Sequence, residues 1–172
     1  MKREVNLWDY AGTILEQLGK GALLTVQKDG KVNTMTIGWG TLGIEWGKPI
    51  CTVYVRQSRY TKEFLDATGE FTVNLPMGEY NKNIIGVCGS KSGRDMDKIK
   101  ELGLTLEEGE TVNVPAIAQL PLTLECKVLY QQDQDLSKLD KASFDRYYTG
   151  ANEGDFHTAY YALVTKAYIV EE

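Results

Sequence analysis

The sequence predicts a mainly β protein, an antiparallel β-barrel with short helices as excursions, on three observations. Asp29-Gly30 stands between residues 22–28 and 31–39, and Asp-Gly is a preferred centre for a type I′ hairpin because both central positions need positive φ. Further segments rich in Val, Thr, Tyr and Leu recur at 50–56, 70–76, 111–117, 122–132 and 158–170. Helical spacing is confined to short stretches at 60–68, 80–88 and 96–103, which do not alternate with strands as a doubly wound sheet requires.

Taken in order, the second hairpin strand ends in Asn33-Thr34-Met35-Thr36-Ile37-Gly38-Trp39-Gly40. Its small and hydroxyl residues either leave the backbone approachable by a flat ligand or relieve a tightly curved strand. Residues 38–43 formally match GxGxxG, but Trp46-Gly47-Lys48-Pro49 and a strand follow where a Rossmann site needs a helix, so that reading is rejected. In 50–56, Thr52 and Tyr54 alternate with Val53 and Val55, and the strand then breaks into a polar corner of Arg56, Ser58, Arg59, Tyr60 and Thr61. Residues 60–68 read as a helix with Phe64, Leu65 and Ala67 inward, stopped by Gly69. Pro76 ends the next strand, because proline cannot donate to a ladder. From Leu104 the chain turns β-rich, while 136–148 is either a short helix or an acidic excursion and 150–155 a turn.

Composition narrows the class of protein. A chain of 172 residues without repeats or a linker reads as a single domain able to bury a sizeable core. Its net charge of −5 argues against nucleic acid or an anionic membrane as the main partner. Cys51, Cys88 and Cys126 are odd in number and lack CxxC spacing, so reduced thiols in a cytoplasmic protein are expected. No apolar run approaches the length of a membrane span, and the first residues lack the apolar core of a signal peptide. Hydrolase and metalloenzyme readings fall away, since GxSxG, HExxH and Ser-His-Asp patterns are missing and no metal site is expected from a single histidine.

Two stretches carry candidate chemistry. Arg56, Ser58, Arg59 and Thr61 form a plausible phosphate cradle, because guanidinium matches phosphate geometry and hydroxyls add neutral donors; an ordinary solvated loop is the alternative. Cys88-Gly89-Ser90-Lys91-Ser92-Gly93-Arg94-Asp95, followed by Lys98, is a second possible anion cradle or else a flexible surface loop. His157 opens the last strand and is either structural or a proton-transfer and substrate-contact residue.

Four stretches together resemble the flavin reductase-like family, flavoredoxins included. They are Asn33 through Trp39, Val55-Arg56-Gln57-Ser58-Arg59-Tyr60-Thr61, Phe71-Thr72-Val73-Asn74-Leu75-Pro76, and Cys88 through Asp95 with Lys98. The resemblance implies an FMN-binding split barrel of antiparallel, Greek-key type, usually a homodimer with flavin near the subunit interface. Asn33, Thr34, Met35, Thr36, Gly38 and Trp39 would lie along the isoalloxazine. Arg56, Ser58, Arg59, Tyr60, Thr61, Ser90, Lys91, Ser92, Gly93 and Lys98 would approach the ribityl chain and phosphate, with Asn74 a further contact. His157 would contact nicotinamide or assist proton transfer. It also implies an NAD(P)H:flavin oxidoreductase with FMN as cofactor and NAD(P)H as transient co-substrate, serving free flavin or a redox partner protein. The alternatives are a flavoredoxin-like FMN electron carrier and a non-redox ligand-binding split barrel.

Overall fold

The computed structural model describes residues 1–171. The elements run β1 (Lys2–Glu4), α1 (Ala11–Lys20), β2 (Ala22–Lys28), β3 (Lys31–Ile37), β4 (Gly40–Glu45), β5 (Lys48–Arg56), α2 (Tyr60–Thr68) and β6 (Glu70–Leu75). They continue with α3 (Asn83–Ser90), α4 (Lys98–Glu101), β7 (Leu106–Glu107), β8 (Ala116–Ile117), β9 (Leu122–Asp133), α5 (Lys141–Tyr147) and β10 (His157–Val170). The main sheet is antiparallel in the order β3-β2-β6-β9-β10-β5-β4, with β1 added to β10. Its two ends, β3 and β4, are joined by only Gly38 and Trp39 yet do not pair, so the barrel is split at this seam.

Two tight turns set the register on either side of the seam. Asp29 and Gly30 have φ of 50° and 76°, as the hairpin reading requires, and β2 pairs with β3 from Ala22↔Ile37 to Lys28↔Lys31. Trp46 and Gly47, at 52° and 66°, make the same kind of turn between β4 and β5. The glycines of the GxGxxG string thus belong to an edge strand, and Gly40 lets α1 close the seam: a Cβ there would come within 3.3 Å of the Leu18 side chain.

Burial follows the strand alternation. Ile14 and Leu18 of α1 enter the core with Met35, Ile37, Val53, Val55, Phe64, Phe71, Leu124 and Tyr160. Leu23, facing the other way from β2, packs with Ile84, Cys88, Leu104, Ile117 and Leu120 beneath α3 and the 104–120 segment. The helix expected at 60–68 is α2, closed by Gly69 at φ 65°. The one expected at 80–88 starts later, at Asn83, and that at 96–103 shrinks to α4, capped by the Asp97 carboxylate on the Lys100 N–H.

The strand expected at 111–117 survives only as β8. Glu125, fully buried on β9, accepts the main-chain N–H groups of Glu110 (2.8 Å) and Thr111 (2.6 Å), so those amides bond a carboxylate and not a neighbouring strand. Helix α1, strand β1 and edge strand β4 are additions to the elements the sequence pattern marked out. Among the described residues no helix is long and apolar enough to cross a membrane.

Candidate functional site

Strand β5 ends at Arg56 directly opposite His157, the first residue of β10. This pairing brings the polar corner against the end of β3 and the seam. A cleft of about 400 Å³ opens there, lined by Met35, Thr36, Ile37, Gly38, Trp39, Tyr54, Arg56, Ser58, Arg59, Asn152, Asp155 and His157. A smaller hollow of about 160 Å³ shares Met35, Ser58 and Arg59 with it and adds Asn33, Tyr60, Thr61, Lys91, Ser92, Gly93, Arg94 and Lys98. The two adjoin across Met35, Ser58 and Arg59 as the two parts of a groove, aromatic at the seam and cationic at the far end.

At the cationic end, Asn33 Nδ2 donates to Thr61 Oγ1 (3.0 Å), tying β3 to the start of α2. The 91–95 loop lies on Asn33 so closely that a Cβ on Gly93 would fall 2.0 Å from Asn33 Oδ1. Lys31 Nζ and the Arg94 guanidinium each sit 4.9 Å from the Tyr60 ring centroid. Lys98 is buried and donates to the carbonyls of Thr34 (2.9 Å) and Cys88 (3.1 Å), while Arg59 Nη2 donates to the carbonyl of Gly89 (3.0 Å). Neither cation pairs with a carboxylate among the described residues. Burial lowers the pKa of both; Arg59 is further disfavoured by Arg56 against a favourable contribution from the Asp155 carboxylate, and Lys98 by Arg59 against one from Cys88. Desolvation and mutual repulsion both disfavour the charged forms of these two side chains.

Arg56 is used differently. Its Nη1 donates to the carbonyl of Asp155 (2.7 Å) and Nη2 to that of Tyr147 (3.0 Å), with the Tyr148 ring 5.2 Å away. Asp155 in turn accepts Ser58 N (2.9 Å) and Ser58 Oγ (2.6 Å). These bonds fasten the excursion between β9 and β10 over the seam end of the groove. There Trp39 packs 4.9 Å from both Tyr147 and His157. Burial, then the charge of Arg56, pushes the His157 imidazolium down to a pKa of about 4, so the ring is neutral at pH 7.

Most residues singled out in the sequence therefore meet in this groove, and three do not line it. Thr34 points to the opposite face of β3, where its hydroxyl bonds Thr25 (3.0 Å) and the Leu24 carbonyl (3.3 Å). Asn74 is fully buried in the same threonine network, accepting from Thr25 (2.7 Å) and donating to Thr123 (3.3 Å). Ser90 turns back on its own helix to the carbonyl of Gly86 (2.8 Å). Thr36 lines the cleft, although its hydroxyl is spent on the Ile85 carbonyl (2.6 Å). Tyr54, Asn152 and Asp155 are lining residues the sequence reading missed, while Ile37 falls within the stretch it set along the ring. Strand alternation with Val53 and Val55 buried could have found Tyr54, whereas nothing local marks Asn152.

The fold is a split antiparallel barrel with a polar, partly aromatic cleft at its seam. The chain belongs to the flavin reductase-like family: the model of the flavin reductase like domain matches residues 20–172. Among solved structures, flavoredoxin of Desulfovibrio vulgaris (Miyazaki F) superposes with a TM-score of 0.67 at 22% identity, covering 88% of this chain and 69% of that one. The FMN-binding domain of a flavin reductases-like enzyme from Shewanella baltica gives 0.65 at 19% identity, covering 98% and 77%. The NADH:FAD oxidoreductase SgcE6 of Streptomyces globisporus gives 0.63 at 18%, covering 87% and 75%. These likenesses concern the fold. The chain spans about half the length of the curated relatives it matches.

Proposed function

We propose that this protein is an FMN-binding oxidoreductase that draws reducing equivalents from NAD(P)H. The observation that carries the reading is the adjacency of the two hollows across Met35, Ser58 and Arg59, which sets an aromatic-walled cleft beside a cationic cradle with no carboxylate in its lining. Arg59, Lys91 and Ser92 are the donors for the phosphate. Lys98, with two of its three N–H groups on carbonyls, stiffens the cradle and adds charge. Gly93 fits this role because any side chain would displace Asn33 from the cradle wall.

Bound flavin supplies the redox chemistry, accepting hydride and passing electrons on. The protein's part is positional and electrostatic. Met35, Ile37 and Trp39 would wall the ring end, while Arg56 at the seam would place positive charge near an anionic reduced ring. A neutral His157 stands at the mouth where a nicotinamide would enter. In this reading the protein works as a cytoplasmic homodimer.

The purified chain is expected to be yellow, or to become so with FMN, and to bleach on anaerobic mixing with NADH or NADPH. Yellow protein that does not bleach would assign the second reading, a flavoredoxin-like carrier, which the resemblance to flavoredoxin favours. Protein that refuses FMN would defeat both.

A further inference from the structure

His157 is held by a chain of hydrogen bonds whose direction is fixed by one obligatory donor. The main-chain N–H of His157 points at Gln134 Oε1 (3.3 Å), which orients the Gln134 amide with its oxygen inward, because its NH₂ group would present hydrogens to that N–H. Tyr148 Oη lies 2.8 Å from the same oxygen, and a hydroxyl facing a carbonyl must donate. Its one proton thus spent, Tyr148 can only accept from His157 Nδ1, 2.7 Å away. The imidazole therefore carries its hydrogen on Nδ1. Nε2 keeps a bare lone pair, has no partner among the described residues and is not sealed from solvent, on a ring that lines the groove.

We propose that Gln134 and Tyr148 are positioning residues that set His157 in the Nδ1–H tautomer, so that the groove presents an acceptor there and recognises a ligand through an N–H or O–H donor. A bare carbonyl or carboxylate facing Nε2 would meet lone pair with lone pair. For the co-substrate of the proposed reaction, on which this part of the inference rests, the matching group is the NH₂ of a primary carboxamide.

His157 is the only histidine, so long-range ¹H–¹⁵N correlation spectra of the untagged protein read its tautomer without ambiguity. At neutral pH the parent is expected to show Nδ1–H. Gln134→Met removes the acceptor, frees the Tyr148 proton to be donated to Nδ1, and should invert the ring to Nε2–H. Tyr148→Phe should leave a mixture. An Nε2–H or doubly protonated parent would overturn the proposal even if neither variant folded; so would variants of parental melting temperature that keep the parental pattern.

Recognition is then tested with FMN at saturation, comparing NADH with its analogue in which a methyl ketone replaces the amide. In the parent the analogue should raise KM roughly threefold to tenfold with little change in kcat, the worth of one neutral hydrogen bond, and Gln134→Met should abolish that penalty. Equal penalties in parent and variant would overturn the recognition half. Failure to bind FMN would defeat the proposed function while leaving the tautomer result to stand or fall on its own spectrum.

Discussion

The two ends of the groove place basic side chains in opposite circumstances. At the cradle, half-buried Arg59 and buried Lys98 make no ion pair with a carboxylate among the described residues, each holding only main-chain carbonyls. At the seam, Arg56 saturates carbonyls of the excursion and His157 is kept neutral by burial beside that same arginine. Three of these four groups gather within a few residues of two strand ends. The difference teaches that residue type alone does not assign a role, which depends on whether the donors of the side chain are already spent.

The seam end should reveal itself most strongly through acid. His157 has an ordinary pKa of 6.5 and one of about 4 in the fold, so below pH 6.5 the unfolded chain binds the proton first and stability falls until about pH 4. At about 1.4 kcal/mol per unit, the loss attributable to this residue approaches about 3 kcal/mol. Urea unfolding between pH 7 and 4 checks it, and His157→Gln should flatten that slope; an unchanged slope would show that the ring is not held neutral.

At the cradle, Arg59→Ala should weaken FMN by roughly one to two orders of magnitude, the loss of a charge-assisted bond of about 1.5–3 kcal/mol. Riboflavin, which lacks the phosphate, should be bound nearly as before. Arg56→Ala is the contrast: it should lower melting temperature and expose residues 136–155 to protease, with FMN and riboflavin affected alike. Titration of both arginine variants with both flavins decides whether the two arginines really differ.

Gly93→Ala should cost on the order of 1–3 kcal/mol, as overpacking does, because the added methyl meets Asn33 and the tie from Asn33 to Thr61 must give. Thermal melts would show it, and FMN affinity should fall while riboflavin affinity holds. The smallest effect is expected from Ser58→Ala, about 1 kcal/mol of stability, since its hydroxyl faces Asp155. If that variant instead lost FMN as steeply as Arg59→Ala, Ser58 would belong to the cradle and the division between the ends would fail.

Read by itself, the sequence determined the β-rich class, the Asp29-Gly30 hairpin, helix α2 with its glycine stop, and the two clusters of donors, because each depends on neighbours close along the chain. The split barrel and the expectation of a flavin came from the resemblance of four such stretches, and not from periodicity. Only the tertiary structure decided which donors remain available. Arg56 faces His157 because β5 and β10 pair in one register, and Ser58 meets Asp155 across 97 residues of sequence. Asn74 and Thr34 look like site residues in the string, yet the alternation of β6 and β3 turns them into a buried network on the far face of the sheet. Local pattern sets backbone form and chemical type, whereas the partners of a buried polar group are set by long-range packing, which must satisfy each one or leave it for a ligand.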